Sequence, residues 1–174
     1  MGSQQVADVS AAVPSAVPSA AVAVEAIALR VTPDGGLAHR AVTGPLDAGR
    51  HPDAVARDLL GLPAGGTAHL LHSTSWRHEP GGRVVLTYAC CPDPHPALPA
   101  APLPDRVPIA RGDGPSSPSP AAPRPAQIAA HAARHLAFLC RTDTDAAAVI
   151  ASVPGLARAL DRWSPAPAGQ LPAH

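Results

Sequence analysis

The sequence predicts a single α+β domain, in which an antiparallel sheet of about three to five strands is covered by helices. Three observations predict this class. Two extended runs flank a Pro-Gly-Gly turn and form a central hairpin at about 67–91. A short helical pattern precedes it at about 52–61, and amphipathic segments follow at about 127–163. We expect those C-terminal helices to pack on one face of the sheet.

The margins of the chain differ from its centre in composition. Residues 1–20 contain Ala-Val-Pro-Ser twice and lack large apolar side chains, so we expect a disordered tail. Residues 21–163 form the predicted domain, and a proline-rich connector interrupts it at about 93–125. Residues 164–174 are again predicted to be a loose tail. The 174 residues are therefore predicted to contain one domain with two flexible ends.

Alternating apolar and β-branched residues predict a first strand at 21–31. The tetrapeptide Pro-Asp-Gly-Gly at 33–36 is typical of a turn. A second strand is expected at 37–42, before Gly44 and Pro45. Together these segments predict a hairpin at the start of the domain.

The segment at about 52–61 carries the start and stop signals of a helix. Pro52 suits the first turn, and Asp53 suits the positive N-terminal end of a helix. Gly61 and Pro63 then end the pattern. We therefore expect one short helix between the two hairpins.

The register of the central hairpin decides which side chains meet. A four-residue loop at 79–82 would place His72 beside Ala89, whereas an odd-numbered loop would shift His72 by one position. Because side chains alternate between the two faces of a sheet, that shift would move His72 to a different neighbourhood. The sequence leaves both registers open.

Prolines prevent the connector at 93–125 from forming a central strand, and only 106–111 is suited to a sheet edge. The clearest helix lies at 127–141, where apolar residues recur at helical spacing. A new N-cap is expected near 142–145, and Pro-Gly at 154–155 separates a last short helix.

Composition and charge exclude several classes of protein. The 13 basic residues balance the 13 acidic ones, and the arginines are scattered rather than clustered. A nucleic-acid-binding protein requires a basic face, so we expect no nucleic-acid partner. No run is long enough to span a membrane, and Pro14 and Pro18 interrupt any secretory signal, so we expect no membrane partner. Three cysteines without framework spacing favour reduced thiols and a cytoplasmic location.

Aromatic residues make up only 2% of the chain, so the core must consist of smaller aliphatic side chains. Such a core buries little area for its length. Either a partner protein or a homodimer would complete such a core.

His131 and His135 lie four residues apart on the predicted helix and project from neighbouring turns. Two imidazoles at this spacing can bind a divalent metal, although a zinc site needs at least one more ligand. The alternative is that His135 is a buried, hydrogen-bonded histidine and that His131 lies at the core boundary. The candidates for a further metal ligand are Cys140, Cys90, Cys91, His72 and Asp93.

The central hairpin concentrates the other reactive side chains, and we expect five of them to line a cleft: His72, Ser73, Trp76, Tyr88 and Cys90. No Gly-x-Ser-x-Gly elbow activates a serine. Cys90 and Cys91 should point to opposite faces and behave as buried, inert thiols. If a site exists, it should lie where the His72 end of the hairpin meets the helix carrying His131 and His135.

Residues 56–94 resemble the second half of a Nudix-type domain, where a helix ending in glycine and an apolar residue leads into a long hairpin. Gly61 and Leu62 match the end of the Nudix box. Asp58 lies at the first of the paired glutamates of that family, but Leu59 replaces the second. The resemblance therefore implies a lost magnesium site and lost pyrophosphohydrolase activity, with a binding cleft retained. The composition is also similar to that of small proteins from high-GC actinobacteria.

These observations favour a non-catalytic, cytoplasmic binding or accessory protein whose partner is a small molecule or another protein. No cofactor is predicted for it. The alternative is a small metal-dependent or Nudix-derived hydrolase that uses His131, His135 and a residue of the hairpin. A divalent metal belongs only to that alternative.

Overall fold

The computed structural model describes residues 22–114, 116, 120 and 122–166. The tail expected at 1–20 and most of the one expected at 164–174 lie outside the described residues. The chain forms five strands and four helices in the described part: β1 Val22–Val31, β2 Leu37–Pro45, α1 Pro52–Leu60, β3 Leu70–Glu79, β4 Arg83–Cys91, β5 Ala101–Leu103, α2 Pro125–Thr142, α3 Thr144–Ser152 and α4 Leu156–Leu160. None of the described helices is both long and apolar enough to cross a membrane.

The strands form one sheet in the order β3-β4-β1-β2-β5. Helix α1 packs on one face, and α2, α3 and α4 pack on the other. The α+β class and the central hairpin are therefore confirmed. One pairing differs from the expectation of a purely antiparallel sheet, because β1 and β4 run parallel.

Strand β1 is buried on both faces, which explains its near-continuous apolar sequence. Ile27 and Leu29 pack against α2–α4, whereas Ala26 and Ala28 pack towards α1. A strand that is covered twice belongs in the middle of the sheet. The chain reaches its second neighbour, β4, through β2, α1 and β3, and this long connection allows the parallel pairing.

Strand β2 continues to Pro45 rather than ending before Gly44. An added Cβ at Gly44 would lie 2.9 Å from Cδ2 of Leu59 in α1, so the Leu59 side chain would have to shift. The glycine therefore lets the helix approach the end of the strand closely. From the sequence alone, Gly44 indicates only the end of the second strand.

The edge strand of the connector lies at Ala101–Leu103 and not at 106–111. It pairs with β2, and Pro102 sits opposite Ala38. Proline is tolerated there because an edge strand does not need every backbone donor. Leu103 and Val107 are the connector residues that enter the core.

Helix α1 begins and ends as the sequence predicts. Nδ1 of His51 accepts a hydrogen bond from the backbone N–H of Asp53, and Pro52 occupies the first turn. Gly61 ends the helix with φ of 65°, a left-handed conformation that favours glycine.

The central hairpin has a three-residue loop, because Glu79 pairs with Arg83. His72 nevertheless lies beside Ala89, the position expected for a four-residue loop. A bulge at Thr74 adds one residue to β3, which shifts the pairing of the residues before it by one position. The odd-numbered loop and the bulge therefore have opposite effects on the register, and His72 keeps the pairing expected for a four-residue loop.

A carboxylate beyond the end of β4 ties the connector to the sheet. The Asp93 side chain is fully buried, and both of its oxygens accept hydrogen bonds from Nε of Arg40, at 2.9 and 3.1 Å. Nη1 of Arg30 lies 3.4 Å from Oδ2 of Asp93 and also donates to the carbonyls of Pro96 and Leu98. Two strands thus hold the chain as it leaves β4.

We predict that Asp93→Asn destabilises the protein by about 3–5 kcal/mol, because the buried Arg40 loses its counter-charge. Urea unfolding followed by circular dichroism measures the change in the free energy of unfolding. Asp58→Asn is the matched control: it breaks the exposed ion pair with Arg50 and should cost less than about 1 kcal/mol. Equal losses in the two variants would contradict the anchoring role of Asp93.

Candidate functional site

The side chains of interest meet where β3 faces α2, and we call this region the β3–α2 seam, defined by His72, Thr74, His131 and His135. The ring centroids of His72 and His135 are 5.0 Å apart, with the planes tilted by 38°. Burial lowers the pKa of His131, although a hydrogen bond to the backbone of Thr74 opposes this effect. This seam is the region in which the sequence predicts that a site would lie.

His135 is the buried member of the seam, with 7% of its surface exposed. Its Nδ1 has no hydrogen-bond partner among the described residues. Burial lowers the pKa of His135 to about 4, and the nearby His72 and His131 add to the effect. The edge of Phe138 packs against the ring, with centroids 6.3 Å apart. His135 is therefore a neutral core residue at neutral pH.

A cavity of about 170 Å³ lies beside the seam, and we call it the Trp76 cavity. Trp76 is 66% exposed and lines it. The cavity is mixed in chemistry, since apolar residues of the connector and α2 face polar residues of the hairpin. Its lining consists of Ser75, Trp76, Arg77, Thr87, Ile109, Ala110, Pro120, Pro123, Gln127, Ile128, His131 and Arg134.

The sheet side of the Trp76 cavity carries a buried ion pair. The guanidinium of Arg77 binds both carboxylate oxygens of Glu25, at 2.6 and 3.2 Å. Arg77 also donates to the hydroxyl of Thr87 at 3.2 Å and to Glu79 at 3.1 Å. The positive charge of Arg77 is thus neutralised within the protein.

The helix side of the Trp76 cavity carries Arg134, which contacts a carbonyl group and an aromatic ring. Nη2 of Arg134 donates to the carbonyl of Val107 at 2.8 Å, and the guanidinium lies 5.5 Å from the ring centroid of Trp163. Burial lowers the pKa of Arg134. Among the described side chains no carboxylate pairs with it, so Arg134 is the cation of this cavity that can attract an anion.

A larger cavity of about 440 Å³ lies at the other end of the seam, lined by His69, His72, Asp143 and Asp145 among others. Asp143 is already used as a helix cap, because its Oδ1 accepts from the backbone N–H of Asp145 and of Ala146 at 3.0 and 2.9 Å. Nowhere in the described part of the chain do three His, Cys, Asp or Glu side chains converge as metal ligands. The metal site at His131 and His135 stays a prediction.

The residues expected to line one cleft are divided among three places. His72, Ser73 and Tyr88 share a cavity of about 250 Å³ with Asp53 and Arg57 of α1. Trp76 lines the cavity already described, and Cys90 is fully buried beneath α1.

The two adjacent cysteines point to opposite faces of the sheet, as predicted. Cys90 packs towards α1, and Cys91 packs against α2–α4. Burial raises the pKa of the Cys90 thiol to about 12 and raises that of Cys91 as well. Both thiols are therefore protonated and poorly nucleophilic at neutral pH.

Sequence reasoning missed Glu25, Arg77 and Arg134 as parts of a site. One signal was available, because a single glutamate inside the apolar strand β1 requires a buried cation as partner. Nothing in the sequence identified Arg77 as that partner or placed Arg134 near Trp163.

The chain matches no protein-family model, and neither the curated proteins nor the solved structures contain a significant match. The resemblance to the Nudix family thus gains no support from these comparisons and stays a hypothesis. Asp58, which lies at the glutamate position of that resemblance, is exposed and paired with Arg50.

We predict that acid destabilises the protein through His135. Its pKa lies near 4 in the folded state and near 6.5 when unfolded. Its contribution to stability is therefore complete above pH 6.5 and is lost as the pH falls towards 4, because the unfolded state takes up the proton first. The expected loss is about 3 kcal/mol.

Urea unfolding between pH 7.5 and about pH 4 measures this loss. His135→Gln cannot be protonated and should flatten the dependence, leaving the smaller contributions of His39 and His131, whose pKa values burial also lowers. His78→Gln is the control, since this residue is exposed on β3 and should leave the pH dependence unchanged. An unchanged slope in His135→Gln would refute the assignment.

Proposed function

We propose that the protein is a cytoplasmic, non-catalytic binding protein and that a small molecule binds in the Trp76 cavity. The observation that carries this proposal is Arg134, a partly buried arginine that lines the cavity and has no carboxylate partner among the described side chains. Apolar side chains of the connector and α2 line the same space, so the cavity offers both a charge and an apolar wall.

The apolar walls support a ligand with a flat or aliphatic part. Ile109 and Ala110 come from the connector, and Ile128 comes from the first turns of α2. An apolar part of a ligand that these walls enclose would gain about 25 cal/mol per Å² of surface that it buries. These contacts give affinity without requiring a reaction.

The charges support an anionic group on the same ligand. Arg77 is held by Glu25, so it contributes shape and hydrogen bonding rather than net charge. Arg134 retains its charge in a partly buried position, where an anion would be attracted more strongly than in bulk water. The favoured ligand is therefore a small aromatic or aliphatic anion.

The polar groups around the cavity also favour binding over catalysis. Burial lowers the pKa of His131, the histidine that lines the cavity, and so keeps it neutral at neutral pH. Arg77 and Thr87 are engaged in the network of Glu25. Fixed hydrogen bonds of this kind position a ligand, whereas proton transfer needs a group whose pKa lies near the working pH.

We predict that benzoate, an aromatic anion small enough for a cavity of about 170 Å³, binds the native protein with one-to-one stoichiometry in isothermal titration calorimetry. Arg134→Gln should weaken this binding about tenfold, because the cation that pairs with the carboxylate is removed. Arg141→Gln is the matched control, since it removes an exposed arginine of the same helix that does not line the cavity. Near-ultraviolet circular dichroism verifies that both variants keep native packing.

Equal binding by the two variants would overturn the assignment of the Trp76 cavity. The hydrolase alternative has its own readout. A stoichiometric divalent metal in the purified protein that is lost in His131→Gln and His135→Gln would support the hydrolase and count against a non-catalytic role. The homodimer stays a prediction, which light scattering after size-exclusion chromatography tests.

A further inference from the structure

A third cavity lies between α1 and the hairpin, on the face of the sheet opposite to the Trp76 cavity. We call it the Tyr88 cavity. It measures about 250 Å³ and is lined by Asp53, Arg57, Leu71, His72, Ser73 and Tyr88. It is smaller than the ~300–1,000 Å³ typical of sites for drug-sized ligands. Its occupant would therefore be a small metabolite.

One wall of the Tyr88 cavity is fixed by a hydrogen bond between the sheet and α1. Tyr88 is only 6% exposed, and its hydroxyl donates to Oδ1 of Asp53 at 2.6 Å. Burial raises the pKa of Tyr88, and the bond to Asp53 raises it further, so the hydroxyl keeps its proton. The carboxylate of Asp53 is thus held in place, with 57% of its side chain still exposed.

Arg57 lies one turn further along α1 and lines the same cavity. An aspartate followed four residues later by an arginine commonly forms an ion pair on a helix. Here the two side chains form none, and the guanidinium of Arg57 has no hydrogen-bond or ion-pair partner in the described part of the chain. Since Tyr88 holds Asp53, Arg57 is left as an unneutralised cation at the cavity.

The cavity therefore presents a positive and a negative group that do not neutralise each other. A purely anionic ligand would be attracted to Arg57 but repelled by Asp53, and a purely cationic ligand would meet the reverse problem. A ligand that carries both charges satisfies both groups. The hydroxyl of Ser73 offers one further hydrogen bond, and Leu71 offers an apolar contact.

We propose that the Tyr88 cavity binds a small zwitterion of the α-amino-acid class. Its carboxylate pairs with Arg57, and its ammonium group pairs with Asp53. The side chain of the amino acid extends towards Leu71 and Ser73. This proposal does not depend on the Trp76 cavity, because the two cavities share no lining residue.

The experiment screens the full-length protein against the twenty standard amino acids at up to about 10 mM by thermal shift, followed by isothermal titration calorimetry. We expect at least one amino acid to raise the melting temperature and to bind with one-to-one stoichiometry. For that amino acid, the analogue without the amino group and the analogue without the carboxylate should each bind at least tenfold more weakly.

Variants assign the binding to the Tyr88 cavity. Arg57→Gln should weaken binding at least tenfold, whereas Arg50→Gln, which removes a paired arginine close to the same helix, should leave it unchanged. Tyr88→Phe should also weaken binding, because Asp53 is released and can pair with Arg57. Trp76→Ala should have no effect.

Three results would overturn the proposal. One is the absence of binding by any of the twenty amino acids. The second is equal affinity for the one-charge analogues, which would exclude recognition of a zwitterion. The third is full binding by Arg57→Gln that is confirmed to be folded by circular dichroism.

Discussion

The structure depends on the burial of β1 on both of its faces. Because α1 covers one side and α2–α4 cover the other, this strand can lie only in the interior of the sheet. Strand β2 lies on one side of β1 and pairs with it antiparallel, because a short turn joins the two strands. Strand β4 lies on the other side and runs parallel to β1, because the chain crosses over before it returns. The same double burial explains why the charge of Glu25 must be matched, since an unpaired carboxylate in that strand would be strongly destabilising.

The bulge at Thr74 divides the hairpin between the two faces of the sheet. Below it Ser75 pairs with Thr87, and above it Ser73 pairs with Tyr88. In a regular strand Ser73 and Ser75 would point to the same face. The extra residue instead turns Ser75 towards the Trp76 cavity and Ser73 towards the Tyr88 cavity. Thr74 itself is buried, and its hydroxyl donates to the carbonyl of Thr87, which holds the bulge in place.

Local signals in the sequence were sufficient for the elements but not for their pairing. Pro52 and Gly61 delimit α1 correctly, and the alternation of β1 marks a strand, because capping and periodicity are properties of neighbouring residues. The parallel pairing of β1 with β4 joins residues about sixty positions apart, and no short-range pattern encodes it. The sequence predicts that the His72 end of the hairpin lies near the helix that carries His135. It does not predict the cavities beside them, because their shape depends on the bulge at Thr74 and on the path of the connector.

The arginines of this protein differ in whether a buried carboxylate neutralises them, and the two proposed ligand sites depend on this difference. Arg40 and Arg77 are each held by a buried carboxylate, and these pairs fix the connector and the hairpin. Arg134 and Arg57 line cavities without a carboxylate partner among the described residues, since Val107 offers only a carbonyl and Asp53 is held by Tyr88. An arginine that is already paired adds little attraction for a ligand, because its charge is cancelled at short range. The proposed binding of charged ligands therefore rests on Arg134 and Arg57, which line the two cavities and have no carboxylate partner among the described residues.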